Sequence, residues 1–261
     1  MAITTLDGYI AANKQLVQLN KTSARTTVAN SWFSLFDVAG SPGAGTLAGT
    51  STTTGVVPTD TTAGCPLFTF STGTGYLTNV DFGGTVAARM MVYDIMWKGG
   101  AYAFNASTSG NTPTSYSSRI TGGDYTGCQI WLEQVTAGTG VQNVNVTYIN
   151  QAGTTGRSTG TFATAANIVG RMWRLPLQAG DTGVQGITGV VGSTATAGTF
   201  NILVLRPLWQ GRVRAANDGD VHALDKTGMP IVYPDSALAM AICADSTASG
   251  VPEIMLEIAN G

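Results

Sequence analysis

Residues 85–97, TVAARMMVYDIMW, run without a glycine, proline or asparagine and carry only Arg89 and Asp94 as charges. A segment this apolar has no polar face to turn to water, and it is too rich in branched and large side chains for a loop. It reads as a buried central strand. The rest of the chain must therefore supply the cover, and most of it is written in strand language. In GCQIWLEQVT (127–136), Cys128, Ile130 and Leu132 alternate with Trp131, Glu133 and Val135. In QNVNVTYIN (142–150), Val144, Val146 and Tyr148 oppose Asn143, Asn145 and Thr147, and QAGTTGR then supplies a turn. Further strands are expected in PLFTF (66–70), YLTNVDF (76–82), NIVGRMWRLPL (167–177), GVQGITGVV (183–191), TFNILVLRPLW (199–209), LAMAICA (238–244) and PEIMLEI (252–258). About ten strands with turn signals between them is the spacing of a sandwich or barrel. No period repeats, which argues against a propeller or solenoid.

Composition agrees. Charged residues make up 11% of the 261 positions, less than half the usual ~25%. Threonine, which favours strands through its branched β-carbon, and 34 glycines fill the gap. With a net charge of −2 the chain lacks the charge excess of a disordered polymer, and it has little charge to keep it from associating. No basic run points to nucleic acid. No apolar run reaches the ~18 residues of a membrane helix, and no secretory leader is evident, so synthesis in the cytoplasm of a host is expected. Cys65, Cys128 and Cys243 are odd in number and far apart. They read as reduced, buried thiols, although one disulfide is also compatible.

The N-terminal third differs in texture. TTLDGYIAANKQLVQLN (4–20) places Leu6, Tyr9, Ile10, Leu16 and Val17 near helical spacing, with Thr4 and Asp7 as a capping box and Gly8 as a weak point. SWFSLFDVAG (31–40) fits helix or strand. TLAGTSTTTGVVPTDTTAG (46–64) then offers only Leu47, Val56 and Val57 as sizeable apolar anchors. Ordering backbone costs roughly 1–2 kcal/mol per residue, more than those three side chains return on burial. Something outside the tract must hold it. The expected organisation is a helical arm and extended Gly/Thr-rich loop over 1–65, followed by an antiparallel β-sandwich over 66–261.

Several motifs invite a catalytic reading. GRSTG (156–160) fits the nucleophile elbow, and Ser158, Asp218 or Asp220, and the only histidine, His222, even fall in the order of an α/β-hydrolase. That fold needs parallel strands separated by helices, which this chain lacks, so GRSTG reads as a turn. GAGTLA (43–48) has no helix behind it to receive a pyrophosphate. Three scattered cysteines and one histidine make no zinc site, and NDGD (217–220) is an acidic turn, not a calcium loop. Glu133 and Asp94 are the best pair for glycoside hydrolysis. A strand's outward face is also the ordinary place for a glutamate. Trp97, Trp131, Trp173 and Trp209 could line a sugar-binding face, though such residues more often fill cores or interfaces. No enzyme, cofactor or metal is expected.

The stretch GCQIWLEQVTAGTGVQNVNVTYINQAGTTGRSTG (127–160), strands with Thr, Asn and Gly on the exposed positions, resembles virion proteins of tailed bacteriophages. It is similar in particular to the β-sandwich or jelly-roll proteins that decorate, cement or form minor parts of phage heads. The resemblance implies an oligomer, with a trimer favoured, that binds the major capsid protein on the capsid exterior and clamps the shell without catalysis. It implies no nucleic-acid or membrane partner. Leu6, Ile10, Leu16, Trp32, Phe33 and Phe36 are the candidate docking residues; alternatively they cover one end of the sandwich. The rival expectation is a receptor- or carbohydrate-binding module of a tail or fibre, using Tyr116 or Tyr125.

Overall fold

The computed structural model describes residues 3–70, 73–109, 113–165, 168–194 and 197–261. The chain is all-β and antiparallel, with two short helices, Leu6–Ala11 and Leu224–Thr227, among the described residues. Its centre is a closed ring of six strands. Ala88–Ala103 pairs with Thr199–Val213, and the ring continues through Gln129–Thr136, Arg171–Arg174, Trp32–Ser34 and Leu238–Ala244 back to Ala88–Ala103. Closure gives each of the six ring strands a partner on both sides.

Two further sheets lie on the outside of the ring. One joins Asn13–Gln18, Pro252–Asn260, Gly75–Gly84 and Asp218–His222, with Ile231–Val232 alongside. The other joins Gln142–Asn150, Val184–Gly192 and Ser107–Ser109, with Arg157–Ser158 and Phe162–Thr164 alongside. The sheet-on-sheet packing of a sandwich is thus present twice, around a shared barrel wall.

This layering explains the apolar run that opens the sequence. Along Ala88–Ala103, Met91, Tyr93 and Ile95 point into the ring, whereas Met90 and Val92 meet the first outer sheet and Met96 and Trp97 meet the second core. Leu238–Ala244 shows the same division: Ala239 and Ala241 face inward and Leu238, Met240 and Ile242 outward, so every residue is buried. The outer sheets have one wet face and alternate. Val144, Val146 and Tyr148 are fully buried as their spacing predicts. Each such side chain contributes about 1.5–3 kcal/mol by leaving water.

The N-terminal segment departs from the expected long helix. Helix forms only over Leu6–Ala11, capped by Thr5, whose Oγ1 accepts the Gly8 N–H at 3.0 Å. From Asn13 the chain is a strand paired along Pro252–Asn260. Val17 and Leu19, two apart, enter the core while Leu16 stays outside. Period-two burial and a full ladder of backbone bonds outweigh the helical spacing that Leu16 and Val17 share on paper. Trp32–Ser34 is a ring strand, and Phe36 and Cys65 fill the ring's interior. The residues before 66 are therefore built into both the ring and an outer sheet. PLFTF is irregular, with Phe68 packed into the first outer core and against Phe70.

Candidate functional site

The 46–64 tract lies across the end of the ring where Ala88–Ala103 finishes, and ring residues, together with Arg119, hold it by its backbone. Lys98 Nζ donates to Thr46 O at 3.0 Å, and Asn201 Nδ2 to Leu47 O at 2.6 Å. Asn201 Oδ1 accepts the Gly49 N–H at 2.8 Å. Trp97 Nε1 donates to Thr54 O at 2.9 Å, and Arg119 Nη1 to Pro58 O at 2.6 Å. Ser51–Val56 adds a short strand to Ala88–Ala103. Contact is so close that a Cβ on Gly55 would stand 2.2 Å from the Trp97 ring, and one on Gly49 2.8 Å from Gly100 N. The glycines that make the tract look unstructured are what lets it lie flat on the barrel.

Behind this strap sits a buried charge cluster at the seam between the two outer cores. Asp94 is ion-paired to Arg119, accepts the Ala237 N–H at 2.9 Å and the Ser236 hydroxyl at 2.8 Å, and lies 3.6 Å from Arg206. Glu133, expected on an outward face, is buried and accepts from Asn201 Nδ2 at 2.7 Å. These carboxylates are enclosed and occupied by structural partners, and they do not flank a common cleft.

The other catalytic candidates are not assembled either. Ser158 lies on the second outer sheet, where its Oγ donates to Asn145 Oδ1 at 3.0 Å and accepts the Gly160 N–H at 3.0 Å. His222 lies on the first, accepting Trp209 Nε1–H at Nδ1 at 3.0 Å. NDGD enters the Asp218–His222 strand, and Asp218 and Asp220 bond the next residue's N–H. The three cysteines are free and buried, and burial pushes the Cys65 and Cys128 thiols up to about 12.

The candidate docking residues divide into two groups. Phe33 and Phe36 are buried, Trp32 is half-buried at the opposite mouth of the ring, and Leu6, Ile10 and Leu16 are 64–66% exposed. The exposed three share a neighbourhood. Leu6 and Ile10 stand four apart on a helix that buries none of its residues, and Tyr9 of that helix donates to Glu257 Oε1 at 2.8 Å. Leu16 is the register partner of Glu257. Leu67, 64% exposed and missed by sequence reasoning, stands apart from them: its neighbour Thr69 donates its N–H at 3.0 Å to Gln15, whose side chain shares the Val17 face of the strand and points away from Leu16. No periodic signal marks Leu67; its place depends on a tertiary contact. Asn13–Gln18 is an edge strand of its sheet, so an apolar ridge stands beside a sheet edge.

At the mouth where Ala88–Ala103 begins, Trp32, Trp131 and Trp173 line a cleft of about 500 Å³ together with Arg89, Arg171 and Arg174. It adjoins a second cleft lined by Arg212 and Arg214, the two sharing Arg89 and Gln210. Of the aromatic residues singled out for sugar binding, half-buried Trp173 lies here, and Trp131 borders the cleft while itself packed in the ring's interior at 4% exposure. Trp97, Trp209 and Tyr116 are buried in the cores, and half-buried Tyr125 stacks edge-on against Tyr116 at 5.8 Å.

No family model matches the chain, and no curated protein matches it. Among solved structures it is similar, at 9% identity and a TM-score of 0.19, to T=1 particles derived from infectious bursal virus, over 96% of this chain and 78% of that one. It is similar to the Gt strain of infectious bursal disease virus at 10% identity and a TM-score of 0.11, over 96% of this chain and 42% of that one. TM-scores of this size establish no common topology.

Proposed function

We propose that this chain is a non-catalytic structural protein of a virus particle, of the decoration, cement or minor head type of tailed bacteriophages. The observation that carries the reading is the ridge of Leu6, Ile10 and Leu16, each about two-thirds exposed beside an edge strand. Exposed aliphatic groups gathered at one sheet edge are a cost to a solitary chain and a gain to one that docks. Each buried against a neighbour contributes up to about 1.5–3 kcal/mol, and the edge offers backbone donors and acceptors for added pairing. The major capsid protein on the shell's exterior, and copies of this chain as a trimer, are the proposed partners. Repetition over a symmetric shell makes modest contacts collectively strong. A rigid, closed barrel with few charges suits such a clamp.

Replacing Leu6, Ile10 and Leu16 together by serine tests this. The substitutions touch no core, so the melting temperature is expected to hold while the protein no longer co-purifies with particles. A variant that joins particles as well as the parent would refute docking through the ridge.

A further inference from the structure

We propose that the tryptophan–arginine cleft at the ring's open mouth is a binding site for an acidic saccharide, a pyranose carrying a carboxylate or sulfate. This goes beyond the assembly role and does not depend on it. The first observation is where the positive charge lies. Arg89, Arg171, Arg174, Arg212 and Arg214 gather in two adjoining clefts, with Asp220 the one carboxylate on their walls, in a chain that has only 13 basic residues and a net charge of −2. The register puts them there: Arg212 faces Arg89 across one strand pair, and Arg174 faces Trp131 across another.

The second observation is how little the protein itself uses these groups, Arg171 excepted, which donates to Ser31 Oγ at 2.9 Å and to Ala165 O. Arg89 donates to Cys243 Sγ at 3.1 Å, and Arg212 makes an exposed ion pair with Asp245 at 3.4 Å. Arg174 and Arg214 are exposed and meet no hydrogen-bond or ion-pair partner among the described residues. Arg174 and Arg214, held near the other guanidiniums without a counter-charge of their own, raise the energy of the empty site, and an incoming anion relieves it. A guanidinium fork matches a carboxylate or sulfate through two parallel hydrogen bonds.

The third observation sets the rest of the ligand. Trp32 and Trp173 are half-buried in the cleft wall; Trp131, 4% exposed, backs Trp32 edge to face with centroids 6.4 Å apart, and Arg171 covers one face of the Trp173 ring at 4.9 Å. The accessible faces of Trp32 and Trp173 can take the C–H face of a pyranose. Asn30, Ser31, Gln129 and Gln210 line the same cleft, giving donors and acceptors for ring hydroxyls. About 500 Å³ falls within the usual size of small-ligand sites. A nucleic acid would instead call for a longer basic track, and the chain's overall negative charge opposes it.

Isothermal titration calorimetry on the full chain tests the proposal with four probes: a hexuronic-acid tetrasaccharide, its carboxyl-reduced neutral counterpart, inorganic sulfate, and a single-stranded DNA oligomer. Saturable binding of the acidic sugar is expected, weakened about tenfold or more by carboxyl reduction. Sulfate alone should bind far more weakly than the sugar. Arg174→Ala, at an exposed position, should cost about tenfold, and Trp173→Ala should weaken the acidic and neutral sugars alike. Equal affinity for acidic and neutral sugar, tighter binding of the DNA, indifference to Arg174→Ala, or no saturable binding would each overturn it.

Discussion

The two ends of the barrel use the same side-chain chemistry in opposite ways. At the strapped end, Arg119 is 1% exposed, ion-paired to Asp94 and hydrogen-bonded to Pro58 O and Ile95 O. Lys98, Trp97 and Asn201 likewise donate into the 46–64 tract. At the open mouth, Arg174 and Arg214 stand in solvent with no partner among the described residues, and Trp32 and Trp173 are half-exposed. Both ends belong to one ring, and Ala88–Ala103 reaches from one to the other. Polar groups enclosed by protein must be satisfied by it, so the strapped end is structural. Where such groups are left to water, the fold does not depend on them for its stability.

Removing Asp94 gives the largest expected break in this contrast. Asp94→Ala leaves Arg119 buried without its counter-charge and should cost on the order of 3–5 kcal/mol in urea denaturation. A loss near zero would mean that the strapped end is as wet as the mouth. Next comes Asn201→Ala, which leaves Gly49 N–H and Leu47 O without their partner. It should cost about 2–3 kcal/mol and open residues 46–64 to limited proteolysis first. Arg174→Ala sharpens the comparison from the other side: stability should change by no more than about 0.5 kcal/mol. A large destabilisation would make the mouth structural too.

The smallest effect concerns the second outer sheet. Arg157, together with Tyr148 and Asn150, holds the Asp181 carboxyl down at about 2. Because the folded state depresses this pKa, its contribution is full above the ordinary carboxylate value near 4 and is lost as pH falls toward about 2. Asp181→Asn should therefore flatten the acid limb of the stability–pH profile between about 4 and 2 and leave its slope at neutral pH unchanged.

The strands were legible where burial obeys a period. Val144, Val146 and Tyr148 announce one wet face, and 85–97 announces two dry ones, because each pattern follows from which faces touch protein. Ring closure was not legible. It depends on Thr199–Val213 and Ala88–Ala103 pairing over nearly their whole length, a long-range choice that no local pattern encodes. The strand at Asn13–Gln18 was misread because Leu16 and Val17 satisfy helical spacing, and only the partner Pro252–Asn260 decides between the two. The tract was read correctly as needing outside support, but its supporters, Lys98, Arg119 and Asn201, are separated from it by 34 to 155 positions when counted from residues 46–64. The cleft was half visible. Trp131 and Trp173 stood out as aromatic residues on strands, whereas the arginines come from three stretches of sequence, each too sparse to form a basic run.

The central claim, that this chain is a built part of a virus particle, is tested most directly by quantitative mass spectrometry of purified particles. The account predicts the chain in every preparation, at a fixed ratio to the major shell protein that survives washing. Its absence from particles, or a trace amount that varies between preparations, would contradict it.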